Sequence, residues 1–348
     1  MKTYACVITH LCMSLILTLG TTGSSLEAKE ITDMAGRKVT VPDVIKKAYA
    51  PSPYGAYMMY SVAPEKLAGL MFPLKDEYKK YLHPSVHNLP VIGGLSGESM
   101  NSNIEVLIKM KPDVIVVWAG KKSPFSAKSE EILKKLNIPY VYATVETLDD
   151  YPAAYAFFGK LLGKEEQTAK QGAYCRKTLN EVAATVQKIP GNHRPKVYYA
   201  EGVDGLCTEC DDSIHVQLMK LAGDVNIHRC HTSNHKGFEK ISLEQVLMYD
   251  PDVIIAQEKV FYDKVLKDPA WGQIKAVKKG RVYLIPNSPF NWFDRPPSFM
   301  RILGLKWLMH SLYPKEYPLD MIKETRDFYS LFLGVTLSPE DAKKVINR

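Results

Sequence analysis

Residues 164–189 read KEEQTAKQGAYCRKTLNEVAATVQKI, and what lies on either side of this stretch decides the fold. Its apolar positions Cys175, Leu179, Val182, Val186 and Ile189 recur at steps of three and four, the spacing of one helical stripe. Gly163 closes what precedes it, and Pro190-Gly191 closes the run itself. At about 1.5 Å per residue the helix is expected to be on the order of 35 Å long, enough to cross one face of a domain. The sequences on its two sides resemble each other. Before it stands Asn103-Ile104-Glu105-Val106-Leu107-Ile108-Lys109-Met110-Lys111-Pro112-Asp113-Val114-Ile115; after it stands Ser242-Leu243-Glu244-Gln245-Val246-Leu247-Met248-Tyr249-Asp250-Pro251-Asp252-Val253-Ile254. Glu105 matches Glu244, and Pro112 matches Pro251, at one offset of 139 residues. Each copy reads as an N-cap (Asn103, Ser242), a short helix, a proline that stops it and a buried strand. Two copies are too few for a solenoid, so they imply two similar lobes.

Working outward, Ile31–Pro42 alternates like a hairpin with Ala35-Gly36 at its turn. Strands are expected at Val44–Ala50, Leu67–Phe72, Val114–Trp118 and Tyr140–Ala143 before the helix, and at Lys196–Ala200, Val253–Gln257 and Val282–Ile285 after it. Helices are expected at Ala56–Val62, Ser126–Leu136, Pro152–Leu162, Ser213–Ala222 and Trp271–Lys278, with Phe299–Leu312, Asp320–Phe332 and Pro339–Ile346 closing the chain. This βαβ rhythm with short connections predicts an α/β fold: two similar lobes with mainly parallel sheets joined by one long α-helix. The lobes would be residues 29–163 and 190–348, bridged by 164–189. The length of 348 residues exceeds one ordinary core and suits two.

The composition, 46% hydrophobic and 24% charged, excludes a disordered chain. The formal charge of +7 favours anionic small ligands or an anionic surface, but its basic residues are scattered, which argues against nucleic-acid binding. Residues 1–28 read as a secretory signal peptide: Lys2 supplies the positive start, Ala5–Leu19 is too short an apolar run to span a bilayer, and Thr21–Ala28 is small and polar. Cleavage after Ala28 would leave a soluble, exported, periplasmic protein. Four cysteines then remain, Cys175, Cys207, Cys210 and Cys230, and an oxidising compartment favours a disulfide. Cys210–Cys230 is the expected pair, with Cys207–Cys230 as the alternative. A redox pair at Cys207 and Cys210 lacks a thioredoxin-like strand–helix context.

In open parallel sheets ligands bind beyond the carboxyl ends of the strands. Those ends carry Tyr54, Phe72, Trp118 and Lys121 in the first lobe, and Phe261, Phe290, Trp292 and Arg295 in the second. Aromatic and basic residues together suit a bulky, partly flat, anionic ligand held by stacking and charge-assisted hydrogen bonds. Each ring could equally be core packing, and Asp294 and Arg295 could pair as a structural clip. A second cluster holds His215, His228, His231 and His235, with Cys230 among them. His231 and His235 are four apart and could share a metal on a helix, although Thr232-Ser233-Asn234 reads as loop. There is no GxGxxG, no GxxxxGK[ST] and no HExxH. No enzymatic activity is expected.

Taken together, the opening Ile31–Pro42, the two copies around Glu105 and Glu244, the segment from Gly205 through Ser213-Ile214-His215 to Ala222-Gly223-Asp224-Val225-Asn226, and Lys279-Gly280-Arg281-Val282-Tyr283 resemble one family. It is that of the periplasmic substrate-binding proteins of ABC importers for iron complexes, corrinoids, haem and related metal chelates. The resemblance implies two α/β lobes bridged by one long helix over a shallow cleft, working as a monomer. It implies that Glu105 and Glu244 contact arginines of the permease dimer in the inner membrane. It implies a chelated metal as cargo and no permanently bound cofactor. A ferric siderophore-type complex leads; a nickel or cobalt chelate completed by His231 or His235 follows, and haem or a corrinoid also fits. The rival from another class is an exported two-lobed metal chelatase acting on a tetrapyrrole, for which the pair Glu105 and Glu244 has no purpose.

Overall fold

The computed structural model describes residues 27–94, 104–118, 127–232 and 237–347. Residues 1–26 of the expected signal peptide and the cap Asn103 therefore lie outside the described residues, whereas Glu27 and Ala28 are described and Ala28 opens the first strand. A hairpin, β1 (Ala28–Thr32) and β2 (Lys38–Pro42), opens the chain. Gly36 turns it at φ +81°, and the buried Asp33 carboxylate accepts from the Ala35 and Arg37 amides. Then follow β3 (Ala48–Tyr49), α1 (Pro53–Val62), α2 (Asp76–Lys79), α3 (Ile104–Met110), β4 (Val114–Trp118), α4 (Ala127–Leu136) and β5 (Tyr140–Ala143). Next come α5 (Tyr151–Leu162) and the long α6 (Glu165–Lys188).

The second lobe runs β6 (Val197–Ala200), β7 (Cys207–Thr208), α7 (Gln217–Leu221), β8 (Glu239–Lys240), α8 (Leu243–Tyr249), β9 (Val253–Ala256), α9 (Lys259–Val265), α10 (Lys275–Lys278) and β10 (Val282–Leu284). The chain closes with α11 (Arg301–Leu312), α12 (Met321–Phe328) and α13 (Pro339–Ile346). No helix among the described residues is long and apolar enough to cross a membrane.

The duplication is visible strand by strand. One sheet runs β5-β4-β3 and continues through a parallel bridge from Ala48 to Leu67; the other runs β10-β9-β6 and continues through a parallel bridge from Val197 to Asn226. All the ladders in both are parallel. The repeated Pro-Asp has a structural task. α3 ends at Lys111 with φ +46° and α8 at Asp250 with φ +42°, each a left-handed residue before its proline. The next residue then pins the neighbouring strand. Asp113 Oδ2 accepts from the Lys46 and Lys47 amides, while Asp252 Oδ2 accepts from the Lys196 amide at 2.9 Å.

This pinning corrects one expectation: the strand foreseen over Val44–Ala50 shrinks to Ala48–Tyr49. The Lys46 and Lys47 amides are spent on a side chain and cannot join a ladder. Leu67–Phe72 likewise makes only isolated bridges, from Leu67 to Ala48 and from Leu70 to Val91.

Each sheet is buried on both faces, as parallel sheets are. Val114, Val116, Val253 and Ile255 join one core that also takes in α5, α6, α11 and α12. Their neighbours Ile115 and Val117, and Ile254 and Ala256, face two smaller outer cores. The long helix is no bare rod. It folds back on α5 through Gly163, at φ +66°, and Gly172 lies 3.5 Å or more from Pro152 even with a Cβ added. Much of its burial is through polar and small residues: Gln171 Nε2 donates to the Ser61 carbonyl at 2.6 Å, and Thr168, Gly172 and Thr178 are covered. The apolar stripe begins only at Cys175, with Cys175, Val182 and Ile189 buried.

Candidate functional site between the lobes

The first-lobe side begins at β3, whose chain turns into α1 under the Ser52 cap: Ser52 Oγ accepts from the Gly55 amide at 3.3 Å. This sets Tyr54 in the first helical turn, beside Trp118 at the end of β4. Their rings stack with centroids 5.9 Å apart and 18° between planes, and both are half-buried. Burial pushes the Tyr54 hydroxyl above its ordinary value, with Arg301 and Arg295 opposing and Asp294 assisting. Those three charges belong to the other lobe, so the phenol lies within electrostatic reach of it. Hydrogen bonds also join the lobes, among them those from Gln217 Nε2 to the Glu146 carbonyl at 2.8 Å and from the Tyr151 hydroxyl to the Ser298 carbonyl at 2.9 Å.

The second-lobe side is built on Arg295. Its Nε donates to Glu201 Oε1 at 2.6 Å, its Nη2 to Glu209, and Asp294 Oδ2 lies 3.8 Å away. Its guanidinium also sits 3.8 Å over the Phe238 ring. The alternative clip with Asp294 is thus the weaker of its contacts. Glu201 and Glu209 are wholly buried. Burial pushes the Glu201 carboxyl up to about 8, against the Arg295 hydrogen bond and with the Asp294 charge. Burial opposes the charge on Arg295, but the Glu201 hydrogen bond and the charges of Asp294 and Glu201 raise its affinity for its proton. Glu209 is further held by the Ser213 hydroxyl at 2.7 Å and the Phe238 amide at 3.1 Å.

Behind Arg295, the buried Asp294 takes a hydrogen bond from the Tyr199 hydroxyl at 2.7 Å. His215 Nδ1 lies 2.5 Å from Asp294 Oδ2 but off the hydrogen-bond line, which leaves both imidazole nitrogens without an aligned partner. Glu258, after β9, completes the acidic wall, and burial raises its carboxyl too. The cluster therefore collects buried acids around guanidinium, with Arg301 nearby on Gln217 Oε1 at 3.0 Å.

Not every residue singled out from the sequence lies where the lobes meet. Tyr54 stacks on Trp118 and is within electrostatic reach of Arg295; Lys121 lies outside the described residues. Phe261 lies in α9 with 2% exposure, its ring 4.8 Å from Trp271 and packed beneath Gly205, where any Cβ would strike it. It is core. Trp292 is wholly buried, and its carbonyl fits against Gly304 so closely that a Cβ there would lie 1.8 Å away. Its place is structural, fixed by the Asn291 carboxamide oxygen, which accepts from the Phe293 and Asp294 amides. Phe290 wedges between Tyr57 at 4.3 Å and Phe299 at 6.1 Å. Together with Phe72, which is 47% exposed, it lines a cavity of about 170 Å³ that none of Tyr54, Trp118 or Arg295 reaches.

The histidine cluster is also dispersed. His231 has a fully exposed side chain in a loop, 3.3 Å from Asp212, and His235 lies outside the described residues. Among the described residues, Cys210, His228 and Cys230 bring three metal-ligand atoms within 4.8 Å of one another. Cys210 and Cys230 are joined in a disulfide, so neither sulfur is free as a thiolate. Cys175 and Cys207 are free. Sequence reasoning named His215 and Asp294 but not their approach to each other, and it did not single out the acids Glu201, Glu209 and Glu258. Two of them do carry a positional signal, since Glu201 and Glu258 follow β6 and β9 at the carboxyl edge.

Glu105 and Glu244 both occupy the first turn of their helices and are exposed. Ser242 caps the second helix, its Oγ accepting from the Gln245 amide at 3.2 Å. Backbone and Ser242 hydrogen bonds hold the Glu244 carboxyl below its ordinary range.

A family model described as periplasmic binding protein matches residues 87–289, more than half of the chain. The chain is 27% identical to the molybdate-binding protein MolA of Haemophilus influenzae, over 92% of this chain and 95% of that protein. It is 26% identical to the Fe(3+)-citrate-binding protein YfmC of Bacillus subtilis, over 60% and 63%. Its fold overlays an ABC transporter solute binding protein from Sulfurospirillum deleyianum with a TM-score of 0.84 and 36% identity, covering 92% of this chain and 99% of that one.

Proposed function

The chain belongs to the periplasmic binding protein family, and from that premise we propose that it carries a metal chelate, of the ferric siderophore type, to an ABC import permease. The carrying observation is a half-buried Tyr54–Trp118 stack on the first lobe within electrostatic reach of a guanidinium on the second, Arg295, clamped by buried acids. Stacked rings offer a flat ligand a surface. Arg295 is already compensated by two carboxylates, which suits a large ligand that displaces part of that contact better than a small ion that must replace all of it. No resident cofactor is needed, and the protein acts as a monomer. In this reading it is exported with Met1–Ala28 removed, and Glu105 and Glu244 meet cationic groups of the permease dimer. A helix N-terminus favours an acid in its first turn, and exposure leaves both acids accessible.

A second reading, molybdate as cargo, is favoured by the similarity to MolA over nearly the full length of both chains. Tryptophan-quenching titration of the mature protein with ferric citrate, a ferric catecholate and molybdate separates the two. One-to-one saturable quenching by a ferric chelate is expected. Response to molybdate alone moves the cargo to the second reading, and no response to any of the three refutes both.

A further inference from the structure

Resting on the docking role proposed for Glu105 and Glu244, we propose that the permease contact is also apolar. Ile108 and Leu247, one helical turn beyond each acid, would seat in matching apolar recesses of a symmetric dimer. Within α3 and α8 the residues at i and i+3 lie on one face, so Glu105 shares a face with Ile108 and Glu244 with Leu247. The residues between them settle which face is inward. Leu107 and Val246, themselves a matched pair of the two copies, are wholly buried against their own sheets. Ile108 is 52% exposed and Leu247 37%.

A single exposed aliphatic residue is ordinary. Of the exposed large apolar residues described, however, Ile108 and Leu247 are the only two separated by the 139-residue offset of the duplicated segments. Nothing within the chain's own packing requires this recurrence, since Leu107 and Val246 already fill the inward positions. A surface repeated once per lobe fits a partner that also presents one surface twice, which is what a two-fold dimer does. Charge names the rest of that surface: beside each recess the partner carries a basic side chain to meet the acid. Met248, 74% exposed where the first copy has Lys109, enlarges the second-lobe patch.

The test measures binding of the ligand-loaded protein to its co-expressed permease–ATPase complex in lipid nanodiscs, at low and high salt. The variant Ile108→Ser/Leu247→Ser should bind about tenfold more weakly or worse and keep the salt dependence of the native protein. Glu105→Gln/Glu244→Gln should weaken binding and flatten that salt dependence. A pair Ile108→Met/Leu247→Met, which restores apolar surface, should recover affinity, while melting temperature and ligand affinity stay unchanged in all three. If the serine pair binds like the native protein while the glutamine pair does not, the apolar contact is overturned and the acid docking stands. If neither weakens binding, both fall. A methionine pair as weak as the serine pair also overturns the apolar contact.

Discussion

Replacing Arg295 with alanine perturbs the cleft at the point where its electrostatics converge. The guanidinium lies 2.6 Å from Glu201 and also contacts Glu209, and both carboxylates have no solvent exposure. Breaking a buried pair from one side costs about 3–5 kcal/mol, because the remaining charge is left desolvated and unpaired. Glu201 can escape part of that cost by taking up a proton, since burial already holds its carboxyl up at about 8. With part of the cost relieved in this way, the loss falls near the lower end, about 3 kcal/mol.

The pH dependence has a definite sign. A carboxyl raised in the folded state binds its proton more tightly there than in the unfolded chain. Its contribution is therefore complete below the unfolded value and is lost as pH rises through about 8. The native protein shares that loss, but removing Arg295 also removes the hydrogen bond that lowers the Glu201 carboxyl and so raises it further. Urea unfolding of Arg295→Ala at pH 6, 7.5 and 9 should show a deficit relative to the native protein that is level between pH 6 and 7.5 and larger at pH 9. Adding Glu209→Gln should recover most of the loss at pH 6. A deficit under about 1 kcal/mol, or one that ignores pH, would mean that the acids are hydrated and that no dry cluster exists.

Trp118→Phe should abolish ligand-induced fluorescence quenching, because Trp271, Trp292 and Trp307 are all buried; persistent quenching would place the ligand elsewhere. Cys210→Ala/Cys230→Ala should lower unfolding free energy by about 2–4 kcal/mol, and dithiothreitol should have the same effect on the native protein in denaturant titrations. Charge reversal at Glu105 and Glu244 to arginine should end uptake by whole cells without changing ligand affinity, and surviving uptake would remove the docking role.

The two lobes were legible because their signals are local and repeated. Val114–Trp118 and Val253–Ala256 are short β-rich runs after a Pro-Asp, and Pro339–Ile346 is announced by Ser338 at the cap and proline in the first turn. The site was legible only in part. Strand ends point to the right edge of each sheet, but they do not say which way a loop residue turns. Phe261 went inward because Lys259–Val265 coils into a helix immediately after β9, placing Phe261 and Val265 on its buried side. Trp292 went inward because Gly304 leaves room for its backbone. Conversely, Glu201 and Glu209 are charged residues in a chain full of them. What makes them part of the site is that Arg295, more than eighty residues later, arrives to compensate both. That pairing is tertiary and leaves no trace in local pattern.

Anomalous diffraction from crystals of the mature protein grown with a ferric chelate tests the central claim most directly. The account predicts a single iron peak between the lobes, in the space bounded by Tyr54, Trp118 and Arg295. An iron peak at His228 or His231 instead, with the cleft empty, would contradict it.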